Sequence, residues 1–337
     1  MIRSDYLFRK IVFAFLTLVT VIVFNFFLFR ILPGDPVKLL FRNPRLTRQA
    51  QEIIRVQFGL DKPVWIDTER LRAGDFAGAF DSQFTAYIRS LFQGNLGISF
   101  ANRQQVNEIL TERVGRTVLL VFTGEILAIA IGMVIGLVAA WKRGTWVDSA
   151  ALFFGLVMWA LPTFFLGIIL LILARGFLPT GGMVTPGLAE EGTTEYWLDV
   201  LRHLILPTIT LAVTSASGYM LIMRSSVVEV LAEDYILTAK AKGMSNIQIL
   251  KDHALKNAML PMVTIIALNL GYVVGGAIQV ETVFSWPGIG RLIYESVSKQ
   301  DYPVLQGAFL LLAVSVILAN FITDILYSIL DPRVKVS

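Results

Sequence analysis

Long apolar runs recur from one end of the chain to the other, and their length limits what it can fold into more than any other feature. A helix needs about 20 residues to cross roughly 30 Å of hydrocarbon. The blocks from Ile11 to Leu32, Thr117 to Ala140, Ala150 to Leu173, His203 to Met223, Met262 to Val280 and Tyr302 to Leu330 approach or exceed that length. In lipid each backbone N–H and C=O must be satisfied within the segment, so the runs are read as helices. The fold class is therefore all-α, a polytopic membrane protein with six transmembrane helices. Of the 337 residues 55% are hydrophobic and 16% charged, which leaves too little polar surface to cover a soluble globule. The first block exceeds the core of a signal peptide and reads as an uncleaved anchor.

Basic residues gather on one side of these spans. With the N-terminus inside, the inner ends and loops hold twelve Lys and Arg, including Arg9, Lys142, Arg143, Arg224 and Lys256, whereas the two short outer loops hold four, Arg175, Arg202, Arg291 and Lys299. That bias places both termini in the cytoplasm. The net charge of +4 is scattered between apolar blocks, so no basic groove for nucleic acid is formed. The absence of Cys excludes a disulfide framework, a thiolate metal site and a cysteine nucleophile. His203 and His253 fall on opposite membrane faces in this topology and cannot share a metal.

The chain divides into an N-terminal tail with the first span (1–32), an extracytoplasmic segment (33–113), a five-helix core (114–330) and a C-terminal tail (331–337). Pro33-Gly34-Asp35-Pro36 stops the first span, because proline restricts the residue before it and Gly34 permits a tight turn. Thr47 can cap a short helix towards Phe58, closed by Gly59. Residues Asp67 to Gln83 read as a surface insertion, Gly94-Asn95-Leu96-Gly97 as a turn, and Gln104 to Glu112 as a helix feeding the second span. The whole segment is too thinly apolar for a substantial core of its own.

The only long inner loop, 224–261, contains Glu233-Asp234-Tyr235 and Ala239-Lys240-Ala241-Lys242-Gly243, then Asn257-Ala258-Met259-Leu260-Pro261. Its first part reads as a short helix, with Asp234 at the N-terminus, Lys240 and Lys242 near the C-terminus and Gly243 closing it. Ala239 and Ala241 remove bulk, which suits docking in a partner's groove; a helix lying at the headgroups with snorkelling lysines is the alternative.

With these residues the chain resembles the integral-membrane permease subunits of ATP-binding-cassette importers that carry the EAA coupling loop. More narrowly it is similar to the first permease subunit of the dipeptide, oligopeptide and nickel uptake group. Further matches are Gly59-Leu60-Asp61-Lys62-Pro63, Gly97-Ile98-Ser99, the stretch from Glu281 through Phe284, Trp286 and Pro287 to Gly290, and Asp331-Pro332-Arg333. Two departures face outward: Asn95 where Asp is usual, and the insertion from Asp67 to Gln83.

The resemblance implies a type I ABC importer membrane domain with an extracytoplasmic helical insertion, in a prokaryotic inner membrane. It implies a homologous second permease, two ABC ATPase subunits and an extracytoplasmic solute-binding protein as partners, and peptides as substrate, with nickel chelates or other small solutes as alternatives. ATPase coupling would fall to Glu233, Asp234, Tyr235, Ala239, Ala241, Lys242, Gly243 and Pro261. Phe284, Trp286 and Pro287 would form an external gate or binding-protein contact. The chain itself would be non-catalytic and bind no cofactor or metal, with ATP and Mg used by the partner ATPases; no G-x-x-x-x-G-K-[ST] occurs to cradle phosphates.

Polar residues inside the runs carry two readings each. Glu125, Asn269 and Asn25 either line a translocation path or hydrogen-bond between helices. A proton-coupled secondary transporter, with Glu125 as proton site, is the competing class. Asp324, nearer the inner end of its span, reads as structural, and Arg30 as snorkelling to the outer headgroups. Gly132 with Gly136, and Gly271 with Gly275, permit close helix packing. Pro162 is expected to bend the third span and Pro207 to interrupt the fourth.

Overall fold

The computed structural model describes residues 4–31, 61–188, 190–271, 273 and 277–330. The Pro-Gly-Asp-Pro stop, the helix expected from Thr47, Gly275 and the C-terminal Asp331-Pro332-Arg333 lie outside them. The described secondary structure is helical. The chain separates into two compact units, one formed by Val114–Arg291 with the stretch beginning at Leu318, the other by the stretch ending at Arg113 with Leu292–Ile317.

The larger unit is built round a 38-residue helix. We label the chain's helices in order: α1 (Ser4–Ile31), α2 (Thr68–Arg72), α3 (Phe76–Ala79), α4 (Gln83–Phe92), α5 (Val106–Trp141), α6 (Trp146–Ala160), α7 (Thr163–Leu173) and α8 (Thr194–Leu231). Then follow α9 (Asp234–Ala241), α10 (Asn246–Gln248), a π-helical turn at Ile249–Ala254, α11 (Leu255–Gly271), α12 (Ile278–Val283), α13 (Ile289–Lys299) and α14 (Tyr302–Leu330). The 38-residue α8 packs against α6, α7 and α11. It meets α5 at a seam of glycines: a Cβ on Gly132 would lie 2.5 Å from the Ala216 carbonyl oxygen, and one on Gly136 2.5 Å from that of Met220. Lipid tails are as apolar as Leu, so close backbone contact through small residues is what holds such helices together. Buried Ala128, Ala212, Ala216, Met223 and Met262 continue the seam into a core.

The structure corrects two expectations and bears out a third. Pro207 does not interrupt the fourth span, since α8 passes through it unbroken. A proline forfeits one N–H bond, and buried Leu204 and Leu206 beside it hold the helix in its core cluster. At Pro162 the expected bend is present and sharp: α6 and α7 meet at 101°, with Leu161 extended before the proline. Finally, the loop 224–261 is mostly helix. The fourth helix runs on to Leu231, and Pro261 sits inside α11 rather than ending a loop.

The count of six spans is not reached among the described residues. Four helices, α1, α5, α8 and α14, are long and apolar enough to cross a membrane, and the bent α6/α7 pair makes a fifth if taken together. The remaining candidate, α11, is described over 17 residues, Leu255–Gly271.

In the smaller unit the expected insertion folds as two short capped helices. Asp67 accepts from the Glu69 and Arg70 amides at 3.0 and 3.1 Å to start α2, and Asp75 accepts from Gly78 at 2.9 Å to start α3. Phe26 and Phe27 of α1 pack with Trp65, Phe84 and Tyr87 as one aromatic group. Asn95 makes the turn that the sequence assigned to it, its side chain accepting from the Gly97 amide at 2.9 Å. Asp301 accepts from the Ser99 hydroxyl and the Phe100 amide at 2.5 and 2.9 Å, which accounts for Ser99 in the Gly97-Ile98-Ser99 motif. The helix expected from Gln104 to Glu112 is the opening of α5.

Candidate functional site

Two features of the larger unit bear on function. The first is a cleft of about 480 Å³ on one side of α8. Thr214, Ser215, Gly218, Tyr219 and Ile222 recur along it at helical spacing and supply its wall, while α11 adds Ile265 and Asn269 and the Pro162 elbow adds Trp159 and Thr163. Gly218 is small because a Cβ there would come within 2.8 Å of the Trp159 ring. The wall's polar groups are four hydroxyls, one carboxamide and one indole, set among Leu161, Ile222 and Ile265, and none of the lining residues is charged. Such a surface can exchange hydrogen bonds with amides and carbonyls without holding any of them strongly.

Behind the cleft three helices are tied together. The Asn269 side chain donates to the Tyr219 hydroxyl at 2.8 Å, and that hydroxyl donates to the Glu125 carboxylate. Asn269 therefore lines the cleft, whereas Glu125 stands behind Tyr219 and bridges α5 to α8. Tyr219, which makes the link, carried no signal in the sequence beyond an aromatic in an apolar run. Asn25 lies in the other unit, where it donates to the Gln306 carbonyl at 2.9 Å and joins α1 to α14.

The second feature is α9 and the segment after it. Ile236 and Ala239 are buried against Ile249 of the π-helical turn, with Leu231 and Met244 packed beside them. Ala239 thus serves the protein's own interior, and Ala241 is the exposed small residue. The Tyr235 hydroxyl accepts from Asn257 at 2.8 Å, which joins the Glu-Asp-Tyr motif to the Asn-Ala-Met-Leu-Pro motif. Glu233 is the N-cap, Lys242 the C-cap, and Gly243 at φ +79° turns the chain out, a left-handed conformation that favours glycine. Leu237 and Ile247 remain 60% and 74% exposed. The helix is clamped on one face and bare on the other.

The stretch from Glu281 to Gly290 is interior. Phe284 and Trp286 are buried with Leu120 and Val200, and the Trp286 indole donates to the Arg116 carbonyl at 2.9 Å. Neither aromatic offers surface to a partner here. At their centre is Glu281, a residue singled out only as the start of the motif. It is fully buried and accepts from the Thr117 hydroxyl and the Arg291 amide, both at 2.9 Å. Burial pushes its carboxyl above the usual carboxylate range, against the pull of those donors. A Cβ on Gly288 would fall 2.5 Å from the carboxylate, so the motif's glycine is what lets the loop close on it. Arg224, counted in the sequence only as an inner charge, forks onto Asp148 at 2.6 and 2.8 Å and fixes the start of α6 to α8.

Residues 132–336 match the family described as the binding-protein-dependent transport system inner membrane component, and residues 1–121 match the N-terminal region described for the same systems. The chain belongs to this family. It is thus a multi-pass membrane protein and a transport permease subunit. Among its relatives are the glutathione transport system permease protein GsiC of Salmonella choleraesuis, 36% identical over 98% of this chain and 99% of its own. The dipeptide transport system permease protein DppB of Escherichia coli K12 is 33% identical over 98% of both chains. A solved structure of the MetNI methionine ABC transporter shares the fold at a TM-score of 0.50, with 17% identity, over 66% of this chain and 96% of that one.

Proposed function

We propose that this chain is the membrane-spanning subunit of an ATP-driven, binding-protein-dependent importer of short peptides, and that α9 receives the ATPase stroke. The observation that carries this reading is α9 itself, fixed from within through Ile236 and Ala239 and presenting Tyr235, Leu237 and Ala241 outward. A lever needs both properties, a rigid attachment to the bundle and a free face for the partner. The partner set is a second permease, two ATPases that use ATP and Mg, and a solute-binding protein outside, with both termini of this chain in the cytoplasm of a prokaryotic cell. The chain binds no cofactor and performs no covalent chemistry.

The substrate class rests on the names of the glutathione and dipeptide relatives and on the uncharged cleft, whose hydroxyls and carboxamide can meet peptide groups. The test is uptake of labelled dipeptides, glutathione and nickel chelates into vesicles holding the assembled complex, with binding protein and ATP. Peptide uptake should require ATP and survive an uncoupler. Gly243→Trp, which forces a bulky side chain into a left-handed position beneath α9, should reduce stimulated ATP hydrolysis about tenfold while leaving insertion intact. Normal stimulation and uptake in that variant would remove α9 from the mechanism.

A further inference from the structure

The smaller unit holds a polar cavity of about 200 Å³ that transport chemistry does not use. Arg30 of α1, Gln83, Tyr87 and Ser90 of the α4 region, and Gln306 of α14 stand on its wall. Exposed Ala86, Asn95 and Ile98 also border it, so the space can be reached from outside. Two side-chain polar atoms on this wall, Arg30 Nε and Gln83 Oε1, are buried without a hydrogen-bond partner among the described residues, whereas the Tyr87 hydroxyl meets the side chains of Asn25 and Gln306. Native proteins leave few such atoms unmet, and two that border one cavity, one of them a cation, call for a ligand.

The chemistry of the wall narrows what that is. The Arg30 guanidinium lies over the Phe26 ring at 5.4 Å, and among the described residues no carboxylate shares the cavity with it. The guanidinium and the Ser90 hydroxyl can both donate, which suits an oxyanion. Gln83 presents an acceptor instead, since its amide nitrogen is already committed to the Lys62 carbonyl at 2.8 Å. The ligand must therefore offer a hydroxyl or ammonium beside its anionic oxygens. Water alone would meet the amides but leave the cation without a counter-charge.

Position supplies the source. Arg30 is in the last turn of α1, a helix apolar and long enough to span, so the cavity lies at headgroup level. The same helix exposes Phe13, Phe15 and Phe24, a surface fit for acyl chains. We propose that this cavity binds the headgroup of a phospholipid, with phosphate on Arg30 and Ser90 and the headgroup's donor on Gln83. Space of this size, several times the roughly 30 Å³ share of one water, admits a phosphate with its substituent.

Native mass spectrometry of the full chain in detergent, titrated with phosphatidylglycerol, tests the proposal. One phosphatidylglycerol should bind at least about tenfold more tightly than diacylglycerol, which lacks the phosphate. Arg30→Gln and Ser90→Asp should each abolish that preference, Arg30→Lys should restore part of it, and Arg89→Gln, on an exposed arginine off the wall, should leave it unchanged. Melting temperature in the same detergent identifies any variant that has not folded; Ser90→Asp carries the test if Arg30→Gln fails. Equal binding of both lipids, or an unchanged preference in a folded Arg30→Gln or Ser90→Asp protein, overturns the proposal. So does displacement of the lipid by millimolar inorganic phosphate, which would assign the cavity to a free anion.

Discussion

Glu281 and Glu125 sit in the same unit and serve opposite ends. Glu281 is fully buried, holds Thr117 and Arg291, and closes a loop whose glycines make room for it. Glu125 is partly exposed and accepts from one tyrosine that in turn faces an open cleft. A buried carboxylate with several donors becomes part of the scaffold, because removing it strands every donor at once. One that meets a single hydroxyl near a cleft tunes the surface in front of it.

The comparison breaks most visibly at Gly288. Gly288→Val would drive a side chain into the Thr117 hydroxyl and against Glu281, and membrane-extracted protein recovered as a single gel-filtration peak should fall by an order of magnitude or more. Normal recovery would show that the loop can reopen and that Glu281 is not a fixed point. Next in size, Glu281→Leu leaves the Thr117 hydroxyl and Arg291 amide unpaired in a dry site, at a loss of about 3 kcal/mol read as a lower melting temperature.

On the other side, Glu125→Leu should melt close to the parent protein yet transport about tenfold more slowly, because Tyr219 loses its acceptor and the cleft wall loosens. The smallest effect belongs to Glu125→Gln, which keeps an acceptor for Tyr219: uptake within about twofold, with or without an uncoupler. Uptake that vanished in this variant and required a proton gradient would recast Glu125 as a proton carrier and the protein as a secondary transporter.

Where the sequence was legible, a single local rule decided the outcome. The last span begins at Tyr302 and ends at Leu330 as its apolar run does, Gly243 closes α9, and Gly132 with Gly136 lie where α8 comes closest. It misled where neighbours override a local rule. Proline marks a break in isolation, yet Pro207 and Pro261 lie inside helices, while Pro162 separates two. Nothing local distinguishes the three. Long-range partners were invisible for the same reason: Thr117 and Glu281 are 164 residues apart, and Tyr219 differs from other aromatics in apolar runs only in what it meets. The motif from Glu281 to Gly290 was conspicuous, but its place at the surface or in the interior depends on which helices close over it.

The glycine seam between α5 and α8 has a mechanical meaning. Because the carbonyls of Ala216 and Met220 sit where side chains would otherwise be, the two helices cannot slip past each other without a clash of main chain on main chain. They are welded into one strut, and Asp148 with Arg224 bolts the start of α6 to it. Any motion that opens and closes the cleft must then be taken up at joints that lack such fastening. The elbow at Pro162 is one, with Trp159 and Thr163 on either side of it and both facing the cleft. A turn of a few degrees there would move Thr163 and the start of α7 past the indole while α6 and the strut behind it stood still.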